Sequence, residues 1–222
     1  MNVLLFGATG MVGQGVLREC LLDPDVHAVQ TVGRTATGVW HTKLTEIVQK
    51  DLSKYPSFDS DMSGFDACFF CLGVSSAGMK EADYERVTYG LTLAIAERLS
   101  RLNPGMTFIY VSGAGTDSTE RGRFMWARVK GRTENALLRL PFKAAYMFRP
   151  GFIQPLHGVR SKTAVYNIFY AITKPLIPLF RFALPNFILT TEEMGRAMLV
   201  VAKHGAPKHI LESRDIRAVL HT

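Results

Sequence analysis

The sequence predicts an α/β fold: a doubly wound parallel sheet with helices on both faces and a small C-terminal annex. Three observations carry this. Short apolar runs alternate with segments of helical periodicity from residue 2 to residue 151. The runs are apolar along their whole length, as strands covered on both faces are. A glycine-spaced turn, Gly7-Ala-Thr-Gly10-Met-Val-Gly13, joins the first run to the first helix.

The elements follow in order. NVLLFG is a buried strand that ends in glycine. MVGQGVLRECLLD has Val12, Val16, Leu17 and Leu21 at helical spacing and stops at Asp23-Pro24. VHAVQTVGR, LTEIVQKDL and DACFFCLG are the second, third and fourth strands. Residues 80–102 form a long helix with Ala82, Val87, Leu91, Ile95 and Leu99 on one side, closed by Asn103-Pro104-Gly105. MTFIYVSGAG is the fifth strand, residues 119–140 a second long helix, and KAAYMFRPG the sixth strand. Near residue 152 the texture changes. Residues 164–189 are rich in aromatics (Phe169, Tyr170, Phe180, Phe182, Phe187), and Pro175, Pro178 and Pro185 interrupt any long helix there. A helix follows, and Thr190 with Glu193 spells its capping box. The chain reads as a single domain, residues 1–222, with residues 152–222 as an annex over the cleft of the sheet.

Composition narrows the partners. With 222 residues and 47% hydrophobic residues the chain can bury a full core. Its net charge of +7 favours anionic ligands or an anionic surface. The densest basic group, Arg121, Arg123, Arg128, Lys130 and Arg132, reads as a solvated helix face, because no aromatic or glycine pattern for nucleic acid accompanies it. Three cysteines point to a reducing compartment without structural disulfides. Cys68 and Cys71 spell C-x-x-C, but on a strand their side chains point to opposite faces, so neither a redox pair nor a metal site is expected. No leader segment and no membrane span is read, and a cytoplasmic location is expected.

The glycine turn is the sharpest signal. Gly7 permits a tight turn, Gly10 lets the backbone approach a pyrophosphate, and Gly13 lets the helix pack close on the strand. The helix N-terminus adds free N–H groups and partial positive charge. This is a Rossmann-type arrangement for a dinucleotide. At the end of the second strand stands Arg34, where NAD-selective sites place an acid, and its guanidinium suits a 2′-phosphate. NADP is therefore expected, with NAD second.

With these residues in hand, the chain resembles the short-chain dehydrogenase/reductase superfamily, in its atypical NAD(P)H-binding branch of epimerase/dehydratase-like and Tat-interacting-protein-like members. The resemblance implies that Gly7, Thr9, Gly10, Met11, Val12 and Gly13 hold the pyrophosphate, and that Asp51 and Leu52 lie by the adenine. It places Cys71, Leu72 and Gly73 over the adenine ribose, and Pro150 and Gly151 against the nicotinamide. It makes Ser112 the catalytic serine and Lys130 the lysine of Y-x-x-x-K, which also holds the nicotinamide ribose. The departure is Trp126, which stands at the tyrosine position, one helical turn before Lys130. Indole donates a hydrogen bond but has no accessible proton-transfer equilibrium.

Three functions fit this pattern. The first is an NADP-dependent oxidoreductase on a small carbonyl or alcohol, without the usual tyrosine and with His157 as the histidine placed to replace it. The second is an NADPH-sensing regulatory protein that acts through a partner. The third, less favoured, is an NADPH-binding protein whose annex touches a membrane surface.

Overall fold

The computed structural model describes residues 1–52, 62–159 and 188–221. The main sheet has seven strands: β1 (Asn2–Phe6), β2 (Ala28–Gly33), β3 (Leu44–Val48), β4 (Ala67–Phe70), β5 (Thr107–Val111), β6 (Ala144–Arg149) and β9 (Ile210–Glu212). They lie in the order β3-β2-β1-β4-β5-β6-β9, and every neighbouring pair is parallel. A second, two-stranded sheet pairs β7 (Phe152–Gln154) with β8 (Ile188–Thr190). The order reverses between β1 and β4, which opens a crevice at their C-terminal ends.

Alternation along β1 builds both cores. Val3 and Leu5 face α1 (Met11–Leu22) and α5 (Thr191–His204), while Leu4 and Phe6 face α3 (Leu91–Leu102) and the start of β6. On the second face Phe6, Phe70, Phe108 and Phe142 stack in series at 5.1, 5.9 and 4.9 Å. Cys68 belongs to this face and Cys71 packs toward the other, as the strand period requires. Burial pushes the Cys71 thiol up to about 12, far from the thiolate that redox chemistry needs. Helices α1 and α5 cross closely at glycines: a Cβ on Gly15 would lie 2.6 Å from Thr191, and one on Gly195 2.7 Å from Glu19. Lys203 ties their ends by donating to both Asp23 carboxylate oxygens at 2.8 Å. The capping box at Thr190 forms as read from the sequence.

Three elements differ from the sequence expectation. The helix expected over 119–140 is α4, Met125–Leu137. Its start is delayed because Asp117 accepts from the Thr119 and Gly122 N–H groups at 3.0 and 2.6 Å, which holds residues 117–122 in a turn. The helix expected over 80–102 is α2 (Glu81–Glu85), a π-helical turn at Arg86–Gly90, and α3. The seventh strand, β9, was not foreseen, and a short helix, α6 (Ser213–Ala218), follows it. The basic group is exposed at Arg121, Arg123 and Arg132, as a solvated face requires, and two of its members also pair with α2. Arg128 donates to both Glu81 oxygens at 2.8 Å, and Arg132 pairs with Glu85 while covering the Tyr89 ring at 4.4 Å. The aromatic segment of the annex lies outside the described residues, apart from Ile188 and Leu189 in β8.

Candidate functional site

The crevice begins at the glycine turn. Gly7 has φ +81°, and a Cβ there would lie 2.7 Å from the backbone of Cys71 and Leu72, so the turns after β1 and β4 touch through this glycine. A Cβ on Gly13 would lie 2.1 Å from the Gly7 carbonyl oxygen, so α1 sits directly on the turn. Gly10 differs: a Cβ there would meet only Gly7 O, at 3.3 Å. No side chain caps α1 at Gly10 and no acid occupies its first turn. An uncapped helix N-terminus beside an open glycine fits the diphosphate of a dinucleotide.

The same crevice widens into a cleft of about 570 Å³ that Met11, Val12, Ser112, Trp126, Lys130 and Gly151 help to line, with Tyr84 and Pro150. Two backbone bonds extend β5 beside the next turn and fix its floor: Ser112 N–H donates to Phe148 O at 2.9 Å, and Ala114 N–H to Pro150 O at 2.8 Å. Opposite, α4 is seated by Gly131, where a Cβ would lie 1.8 Å from the Asp117 carbonyl oxygen. That contact carries Trp126 and Lys130 into the cleft one turn apart. The Trp126 ring lies along Gly115, whose Cβ would stand 3.4 Å from it. Lys130 donates from Nζ to the Ser112 carbonyl oxygen. Burial pushes its ammonium down to about 8, against the pull of Glu134 one turn further on.

Glu134 and Arg149 were missed in the sequence. Glu134 is fully buried and accepts from Ser112 Oγ at 2.5 Å. Arg149 Nε donates to both Glu134 oxygens at 3.1 Å, and its second terminal nitrogen reaches Glu134 and the Ser118 hydroxyl. An acid one turn after Lys130, on a face that must point inward, was the available signal. Tyr84, also missed, comes from the helix expected over 80–102, and burial raises its phenol above the ordinary range despite the Thr88 hydroxyl beside it.

The other sequence-derived candidates spread along the crevice. Thr9 sits in the glycine turn, half-buried. Arg34 is exposed just past β2, and Asp51 is exposed after β3. Leu52 turns its side chain into the core beside Val32. Cys71 and Leu72 are half-buried and Gly73 exposed in the turn after β4. His157 pairs with Glu192 at 2.8 Å and lines a separate cavity with Leu17 and Val39, so it does not face Lys130. A second cavity of about 570 Å³ lies at the opposite end of β6, around Phe142 and His209; no glycine turn or helix N-terminus opens into it, and the crevice is the better candidate site.

No family model matches the chain. It is 33% identical over 158 residues to protein fmp52-1, mitochondrial, of Aspergillus oryzae, which covers 68% of this chain and 66% of that one, just under two thirds. It is 28% identical over 217 residues to protein FMP52-2, mitochondrial, of Scheffersomyces stipitis, covering 93% of this chain and 89% of that one. Among solved structures it is similar to a short-chain dehydrogenase/reductase superfamily protein from Agrobacterium tumefaciens with bound NAD (TM-score 0.66, 14% identity, 96% of this chain and 77% of that one). It is also similar to the Bordetella bronchiseptica enzyme WbmF in complex with NAD+ (TM-score 0.67, 15% identity, 98% and 76%). At these identities the likeness shows the fold alone, a Rossmann-type α/β fold. The cytoplasmic expectation is overturned, because the named relatives are mitochondrial. Cysteine count separates oxidising from reducing surroundings and carries no address.

Proposed function

We propose that this chain, built on the short-chain dehydrogenase/reductase fold, binds a nicotinamide dinucleotide and acts as an oxidoreductase on a small carbonyl or alcohol. The observation that carries the reading is one continuous crevice. It runs from the uncapped N-terminus of α1 to a cleft lined by Ser112 and Lys130. Gly10, Met11 and Val12 would hold the diphosphate, Lys130 the nicotinamide ribose, and the turn at Pro150-Gly151 the nicotinamide. When bound, the dinucleotide supplies the hydride. The chain's own part is to orient the ligand at Ser112 and to exclude water with Trp126 and Tyr84. The names of the relatives favour a mitochondrial setting for this activity.

NADP is the proposed form, because Arg34 is exposed where the second strand ends. A lost guanidinium–phosphate contact is worth roughly 1.5–3 kcal/mol. Arg34→Ala is thus expected to weaken NADPH by about an order of magnitude or more and to leave NADH nearly unchanged, as read by calorimetry. Equal losses for both nucleotides would sink the assignment.

Trp126 bears on the chemistry. With indole at the position one helical turn before Lys130, the cleft lacks a phenol at the place from which the proton is exchanged, a function worth roughly 10²–10⁴ in rate. Trp126→Tyr is expected to raise turnover with generic carbonyl substrates, and Trp126→Phe to change little. If neither variant turns over any carbonyl while the nucleotide still binds, the second reading, an NADPH sensor acting through a partner, replaces the enzyme.

A further inference from the structure

A serine hydroxyl has one proton and two lone pairs. Both partners of Ser112 Oγ within the protein are acceptors: Glu134 Oε1 at 2.5 Å and the Phe148 carbonyl oxygen at 3.2 Å. Neither can donate. Both Glu134 oxygens already accept from the Arg149 guanidinium, so this group is a paired carboxylate and not a protonated acid that could turn a donor toward the serine. The proton of Ser112 therefore points into the protein, and what its oxygen can offer the cleft is lone-pair density. Lys130 has the opposite character. One of its N–H groups goes to the Ser112 carbonyl oxygen, and the ammonium has two more to give. An acceptor and a donor on one cleft wall complement a hydroxyl group, which gives one hydrogen bond and takes another. A carbonyl can only accept, so it would use Lys130 and leave the Ser112 lone pair unmatched.

We infer that Glu134 is a positioning residue that makes Ser112 a hydrogen-bond acceptor in the cleft, so that the site takes the alcohol form of its ligand in preference to the carbonyl form. This rests on the oxidoreductase reading for its ligand class. The orientation of the hydroxyl itself does not.

Proton NMR of the full chain tests the orientation without any ligand. The wild type should show a slowly exchanging, downfield hydroxyl resonance that disappears in Ser112→Ala and returns in Ser112→Thr. Glu134→Gln should remove it, because a side-chain amide can donate to Oγ and release the serine proton toward the cleft. Glu134→Asp keeps the charge against Arg149 but withdraws the carboxylate from Ser112. It should lose the signal too, and it serves if the glutamine variant does not fold. The matched probes cyclohexanol and cyclohexanone, compared by saturation transfer, should bind the wild type in a ratio favouring the alcohol. That ratio should fall about three- to tenfold in either Glu134 variant, the range of one hydrogen bond. A purely structural role would lower thermal stability and leave the ratio unmoved. A wild type without the resonance, or a ratio unchanged in a folded Glu134 variant, overturns the inference. Failure of the wild type to bind NADH or NADPH would instead remove the oxidoreductase reading, with the hydroxyl resonance still in place.

Discussion

Arg149→Leu is expected to cost about 3–5 kcal/mol of folding stability, the range for breaking a buried ion pair by removing one partner. Glu134 is fully buried and Arg149 is 8% exposed, so water cannot take the place of the guanidinium. The leucine variant strands a carboxylate that keeps only the Ser112 hydroxyl as a hydrogen-bond donor. Urea denaturation should show a lower midpoint with little change in slope. The double variant Arg149→Leu/Glu134→Leu removes both charges and should recover part of the loss, because the stranded charge, and not lost packing, is the main cost. A single-variant loss under about 1 kcal/mol would mean that the pair is solvated and that the cleft floor is not built as described.

The second large effect separates Gly10, which precedes α1, from Gly13, in its first turn. Gly13→Ala places a methyl 2.1 Å from the Gly7 carbonyl oxygen, so α1 must move off the turn. The expected cost is about 1–3 kcal/mol of stability, as for other overpacked sites. Nucleotide binding should be lost with it, since the N–H groups of the first turn are displaced. Gly10→Ala meets only one contact, at 3.3 Å, and φ −81° suits alanine, so the fold should be nearly unaffected. Its methyl would instead stand where the diphosphate approaches, and affinity should fall. Thermal melts beside nucleotide titrations check both variants. A Gly10→Ala protein that binds as tightly as the wild type would show that the phosphate does not pass there.

The parts of the site that were legible in the sequence are those with local causes. The glycine turn shows because Gly7 and Gly13 answer to φ and to contacts within the turn and its neighbouring loop. Trp126 and Lys130 show because one helical turn separates them. The start of α4 did not show, because a single aspartate, Asp117, captures the preceding N–H groups and propensity over the window cannot register that. The ion pair of Arg128 with Glu81 spans 47 residues, and that of Arg149 with Glu134 spans 15 across two elements, so neither has a local signature. β9 is three residues long, follows Lys208 and His209, ends on the charged Glu212, and gains its place from pairing with β6. The cellular address has no counterpart in packing or periodicity at all.

The central claim is that the crevice at β1 and β4 holds a nicotinamide dinucleotide. Calorimetric titration of the purified full chain with NADPH and with NADH tests it most directly. The account predicts one site per chain, with a dissociation constant below about 1 mM, within the usual span for enzyme ligands. It predicts NADPH as the tighter of the two, and weakening of both nucleotides in Gly10→Ala. A folded wild-type protein that binds neither nucleotide, or whose binding Gly10→Ala leaves untouched, would contradict it.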